Sequence, residues 1–193
     1  MLKRLYDFVI ELAQTPHALW ALAVVSFVES SFFPIPPHVM LIPMVIARPE
    51  RWVLIAGVCA GASVAGGVAG YALGAFAFDM AGLPVLEFYG YDEKFEAFRA
   101  RYNEYGAWAV LVGGLTPFPF KIITILSGTT GLSFSVFLIS SIAARGAVFF
   151  VIAGLLRVIG PPIREFIERR LGLMAALFII LLFGGFAAVK FVL

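Results

Sequence analysis

Apolar and polar positions follow one another along this chain in two similar cycles. Residues 2–13 place Leu2, Leu5, Val9 and Leu12 at helical spacing, with Lys3, Arg4, Asp7 and Glu11 between them. That pattern predicts an amphipathic helix at a membrane interface. Residues 18–33 run apolar into Pro34-Ile35-Pro36-Pro37, and apolar chain resumes from Val39 to Ala47 before Arg48-Pro49-Glu50-Arg51 stops it. Neither piece is long enough to cross a bilayer, which takes about 20 residues of helix. The segment 18–47 therefore reads as a re-entrant hairpin, entering and leaving on the same side. Residues 52–78 carry no charged side chain and read as a full span.

A polar centre follows over 79–105. Asp79, Glu87, Asp92, Glu93, Lys94, Glu96, Arg99, Arg101 and Glu104 interleave there with Phe88, Tyr89, Tyr91, Phe95, Phe98, Tyr102 and Tyr105. The pattern predicts an interfacial amphipathic helix with aromatics at headgroup depth; a small partner-binding element is the alternative. The second cycle then repeats the first. Residues 106–128 are apolar around Pro117-Phe118-Pro119, residues 133–157 make a second full span, and 172–192 make a last one after Pro161-Pro162 and the charged stretch Arg164–Arg170. A shift of 83 residues carries Pro34 onto Pro117.

The expected fold is all-α: a polytopic integral membrane protein with an inverted repeat of two re-entrant, proline-broken hairpins, about three full transmembrane helices and interfacial amphipathic helices. It forms a single membrane domain over 1–193, with repeat 1 at about 2–78, repeat 2 at about 84–157 and a C-terminal helix at 172–192. Pro34, Pro36 and Pro37 shape the first hairpin, Pro117 and Pro119 the second. Broken backbone survives in a bilayer only where protein buries it or where it lines a wet cavity. Matched breaks in two halves are a way of building a transport site from a repeat. Within 52–78, Ala62, Gly66, Gly70 and Gly74 recur every four residues on one helix face. Small residues at that spacing make a packing seam, with the hairpin as its natural partner and a second copy of the chain as the other option.

Composition agrees. Hydrophobic residues make up 62% of the chain and charged ones 13%, and the mean hydropathy is +0.99, against about a quarter charged in soluble domains. A cleavable leader is not expected, because Asp7 and Glu11 interrupt the N-terminal segment. The single cysteine, Cys59, excludes a disulfide framework and a cysteine metal cluster. The net charge of +2 is scattered, which argues against nucleic acid as a partner. With two hairpins and three spans, residues 1–17, 48–51 and 157–171 share the side richer in Lys and Arg, so the N-terminus is expected in the cytoplasm. The same model sets the hairpins on opposite faces.

Three charged residues remain inside apolar chain: Glu29, Lys121 and Arg145. A charge at bilayer depth costs about 2.5–3.5 kcal/mol even on the lenient insertion scale, so such groups pair or face a cavity. They read either as a site with one acid and two bases or as an ion pair that locks the hairpins. Arg145 has a further option, satisfying hairpin carbonyls. His38 stands at the first tip, as a site member or a solvated polar group. Half-helix N-termini with a lysine suit an anion or phosphate, and a carboxylate beside them suits a proton. There are two histidines without metal-ligand spacing, and no nucleophile motif, P-loop or dinucleotide fingerprint. An enzyme, a metal and a cofactor are not expected.

Four stretches resemble the DedA family, also called the SNARE-associated Golgi protein or VTT-domain family, and look closest to its YqaA-type bacterial branch. They are Phe27-Val-Glu-Ser-Ser-Phe-Phe-Pro-Ile-Pro-Pro-His38, Gly66-Gly-Val-Ala-Gly-Tyr-Ala-Leu-Gly74, Leu115-Thr-Pro-Phe-Pro-Phe-Lys121 and Ala144-Arg-Gly-Ala-Val-Phe-Phe150. The resemblance covers about residues 20–160. It implies facing re-entrant hairpins, the bacterial inner membrane, and movement of undecaprenyl phosphate or phospholipid coupled to an ion gradient. By this likeness Glu29 matches the acid of the first hairpin, and Lys121 and Arg145 the basic positions of the second half. The chain departs from the family in carrying His38 where an acid is common, and Lys121 where arginine is common. The expected function is an inner-membrane transporter or flippase of a lipid or lipid-linked phosphate. Its partners would be membrane lipids and protons or other ions, with a homo-oligomer left open. The rival reading is a non-transporting membrane scaffold that supports envelope homeostasis.

Overall fold

The computed structural model describes residues 17–32, 36–116 and 118–160. The helix expected over 2–13, Pro34, Pro117, the charged stretch 164–170 and the span over 172–192 lie outside the described residues. Among those described, the chain is helical with no strand.

The first broken segment is two helices, α1 (Ala18–Ser31) and α2 (His38–Ala47). α1 ends at Phe32, whose N–H closes on the Val28 carbonyl at 3.1 Å. α2 starts on Pro37, whose fixed φ of −66° suits a helix entry. α2 also carries Pro43 in its interior, which leaves the Val39 carbonyl without its helical donor. A 3₁₀ turn over Pro49–Arg51 leads into α3 (Trp52–Ala77). At 26 residues α3 is about 39 Å long.

A π turn over Phe78–Gly82 follows, then α4 (Leu83–Tyr89) and α5 (Asp92–Glu104). The polar centre is therefore two helices rather than one, because Gly90 turns left-handed at φ +67° between them. α5 is amphipathic as expected, but its aromatic face is turned to the protein. Phe95 stacks on Phe78 at 4.6 Å, and contacts continue through Phe98 to Tyr102. Phe88, Tyr89 and Tyr91 stay exposed around the Gly90 turn.

The second broken segment is α6 (Gly106–Leu115) and α7 (Phe120–Thr129), separated by extended backbone at Thr116 and Pro119. α6 folds back on α7. Gly106 lies against Leu132, Gly113 against Ile123 and Gly114 against Phe120. α7 ends with Leu132 N–H on the Ser127 carbonyl and Gly131 N–H on the Gly128 carbonyl, a closure that needs Gly131 at φ +64°. α8 (Phe134–Gly160) completes the described chain. The stretch Pro49–Met80 and α8 are each long and apolar enough to cross a membrane. Both present large aliphatic and aromatic side chains outward, among them Leu54, Leu73 and Phe76, and Ile139, Ile142, Val151 and Leu155.

α3 is the common wall. α1 runs parallel to it: Ser26 meets Cys59 at 3.0 Å and, one turn on, Ser30 meets Ser63 at 2.7 Å. α7 also runs parallel to α3, farther along, with Phe120 beside Gly67, Thr124 beside Gly70 and Thr129 bonded to the Gly74 carbonyl at 3.4 Å. α8 runs antiparallel, with Tyr71 near Phe134 and Phe137, and Trp52 near Phe150. Ala18 lies level with the start of α3, and Leu132 lies near its far end. The two broken pairs thus approach from opposite ends of α3, and the end of α1 and the start of α7 come together near Ser63 and Gly67.

The glycine seam has the expected partner and a second one. A methyl group at Gly66 would collide with the backbone of Phe27 on α1, and one at Gly74 with the backbone of Ile125 on α7. At Gly70 it would meet both Thr124 and the Ser30 carbonyl. Two apolar cores result. One joins Ala18, Leu22, Leu41, Val45, Ile55, Ala56, Phe149 and Ala153; the other joins Val110, Phe120, Ile123, Leu132 and Phe137.

Candidate functional site

Between the two cores lies a layer of buried polar side chains: Ser26, Ser30, Ser63, Thr124 and Arg145. Its first element follows from the proline break. The Ser30 carbonyl would be served in a helix by the N–H of residue 34, which is a proline and has none. Thr124 Oγ1, 2.9 Å from the Lys121 carbonyl of its own helix, also reaches the Ser30 carbonyl at 3.0 Å and is placed to serve as a shared donor from α7. The hydroxyl of one tip thereby closes the backbone of the other.

The charged centre sits one helical step away. Arg145, 5% exposed in the middle of α8, donates through Nη2 to Glu29 Oε2 at 3.1 Å and through Nε to Ser63 Oγ at 2.7 Å. Ser30 donates to the same Glu29 oxygen at 3.0 Å. Two aromatic rings lie against the guanidinium: Phe149, 4.6 Å to the ring centre, and Phe120, 4.8 Å. Planar, delocalised arginine, more weakly hydrated than a lysine ammonium, suits such a buried contact. No hydrogen-bond partner of Nη1 lies among the described residues. His38 reaches the edge of this layer, its ring 5.4 Å from that of Phe149.

The structure brings Glu29 together with Arg145, and not with Lys121. Lys121 stands half-buried in the first turn of α7 at the second tip, and its side chain has no ion-pair or hydrogen-bond partner among the described residues. Of the hairpin prolines within the described residues, Pro37 and Pro119 act as the residues from which α2 and α7 start, and Pro36 accepts from Val39 N–H. No group of three His, Cys, Asp or Glu side chains gathers among the described residues.

Residues 33–158 match the VTT domain. The chain belongs to the VTT domain (DedA/SNARE-associated) family. An uncharacterized protein of Haemophilus influenzae is 36% identical over 151 residues, 78% of each chain. An uncharacterized protein of Histophilus somni is 40% identical over 151 residues, again 78% of each. No solved structure matches the chain.

Three members of this polar cluster carry no individual mark of it in the sequence. Ser63 and the pair Phe120 and Phe149 look like ordinary helix residues one at a time. One signal was present: Ser26 and Ser30 are four residues apart, as are Cys59 and Ser63. Two helices with small polar groups at that interval can zip together along one face. The phenylalanines carried no such mark, because a ring beside a guanidinium has the same sequence appearance as a ring in a core.

Proposed function

We propose that this VTT-domain protein is a multi-pass protein of the bacterial inner membrane that moves a lipid or lipid-linked phosphate across the bilayer, coupled to protons or another ion. α3 and α8 would cross, α1–α2 and α6–α7 would be re-entrant hairpins from opposite faces, and the N-terminus would be cytoplasmic. The outward aliphatic surfaces of α3 and α8 support a lipid setting, and the bacterial relatives support the cellular one.

The observation that carries the reading is the Glu29–Arg145 pair, set where the end of α1 and the start of α7 come together and between two apolar cores. An ion pair at that depth is costly and marks a functional path more often than a stabilising contact. Glu29 is the group that takes up and releases the coupling ion. Lys121, whose side chain has no partner among the described residues, and the remaining edge of Arg145 receive the anionic headgroup. The chain needs no covalent chemistry for this and is read as a non-enzyme.

A rival has its own support. Arg145 has two nitrogens hydrogen-bonded and two aromatic rings against its guanidinium, which suits a lock in a scaffold that transports nothing. Proteoliposomes holding a labelled lipid phosphate separate the two. Transport predicts headgroup movement that Lys121→Ala and Glu29→Gln each abolish at unchanged reconstitution. Full activity in both variants, or no movement by the wild-type chain with any anionic lipid, leaves the scaffold.

A further inference from the structure

Phe120 is buried completely, yet it is not an ordinary core side chain. It is the first residue of α7, immediately after Pro119, so its position is fixed by the second tip. One face of its surroundings is apolar, with Gly67 of α3 and Gly114 of α6 allowing a close approach. The other is the guanidinium of Arg145. Phe149 also lies against that guanidinium, but it belongs to Arg145's own helix, one turn on, and its ring meets His38 of α2 rather than α7. Phe120 is therefore the side chain that joins the charged pair to the second hairpin. Thr124, one turn farther along α7, joins the same hairpin to the first one through the Ser30 carbonyl.

We propose that Phe120 is a positioning residue that couples the seating of α7 to the state of the Glu29–Arg145 pair. The inference rests on the reading of that pair as the responsive part of the site. While Glu29 is ionised, it holds Arg145 against Ser63, and the guanidinium offers a fixed flat face to Phe120. When the carboxylate charge is removed, the guanidinium loses its anchor on the Nη2 edge. The stacking on Phe120 weakens with it, and the start of α7 loosens. By reciprocity, loosening α7 weakens the hold of Arg145 on Glu29. Among the described residues, the other titratable groups that face the pair are His38 on α2 and Cys59 on α3, and neither is the ring that meets the guanidinium from α7.

Hydrogen exchange on the purified full chain in detergent tests this without any transport assay, with Glu29→Gln standing for the neutral acid. In the wild-type background, Glu29→Gln is expected to speed amide exchange over residues 120–126 several-fold. Phe120→Leu is expected to speed the same amides by itself, and adding Glu29→Gln to it is expected to change nothing further. Phe120→Tyr, which keeps the ring, is expected to restore the response to Glu29→Gln. Equal acceleration by Glu29→Gln in the wild-type and Phe120→Leu backgrounds overturns the coupling, and so does no acceleration in either. Should the Phe120→Leu variant fail to fold, Phe120→Met serves in its place under the same criteria. Coupling without lipid movement in proteoliposomes would sink the transport reading and leave this inference standing.

Discussion

Glu29 and Arg145 lie 116 residues apart in the chain and meet at 3.1 Å, one drawn from α1 and the other from α8. Ser30 and Ser63 complete the contact, and also bond each other at 2.7 Å. The acid therefore never stands alone beside the break at which α1 ends.

Removing one partner of this pair leaves the other largely enclosed by protein without its counter-charge. Arg145→Met is expected to cost about 3–5 kcal/mol, the usual range for orphaning a buried charge. The double variant Glu29→Leu with Arg145→Met is expected to recover most of it. Thermal melting of the detergent-purified proteins reads both; a double variant no better than the single would show that the pair's charge is not what matters. Arg145→Lys is expected to stay near the methionine variant, because the single ammonium nitrogen of lysine cannot span Glu29 and Ser63 as the guanidinium fork does.

Lys121 gives the opposite pattern. Its side chain supports nothing among the described residues, so Lys121→Ala is expected to melt within about 0.5 kcal/mol of wild type, as substitutions away from such contacts usually do. Its loss is expected to appear only in lipid movement. A large drop in melting temperature would reassign this lysine to the framework.

The glycines of α3 separate by what faces them. Gly66→Ala and Gly74→Ala push a methyl into the backbone of α1 and of α7, and each is expected to destabilise by about 1–3 kcal/mol or more. Gly61→Ala meets nothing within 4 Å and is expected to be neutral or to stabilise by up to about 1 kcal/mol through helix propensity. Yield and melting temperature after membrane extraction check the contrast.

Thr124 acts through its hydroxyl. Thr124→Val keeps the shape and leaves the Ser30 carbonyl without a donor, an expected loss of about 1–3 kcal/mol. Thr124→Ser keeps the donor and is expected to stay close to wild type. Chemical denaturation with both variants tests the claim; equal losses would mean that the methyl group, and not the hydrogen bond, matters.

Much of the architecture was readable from periodicity. Proline has no N–H and stops a helix wherever it falls, so both breaks were visible, and the glycine interval in α3 announced a close neighbour. The charges inside apolar chain were equally plain. Their pairing was not. Glu29 had two bases to choose from, and only the antiparallel run of α3 and α8 brings Arg145 level with Ser63. The facing of α5 was hidden for a similar reason: Phe95, Phe98 and Tyr102 would suit lipid as well as they suit Phe78 and Ser127. Gly90 and Gly131 carried a local sign, a glycine closing a helical run, that the hydropathy pattern overshadowed.

The parallel registers of α1 and α7 on one helix make α3 a ruler. Each hairpin is measured from its own end of that helix, and the two must come out to the same level for Glu29 to reach Arg145 and for Thr124 to reach Ser30. One added turn between Cys59 and Gly74 would part the tips by about 5.4 Å, beyond the reach of either contact. Insertions around Gly90, where Phe88, Tyr89 and Tyr91 are exposed, leave both measurements untouched. Chain length is thus constrained most tightly in the one helix whose side chains are mostly too small to contribute contacts of their own.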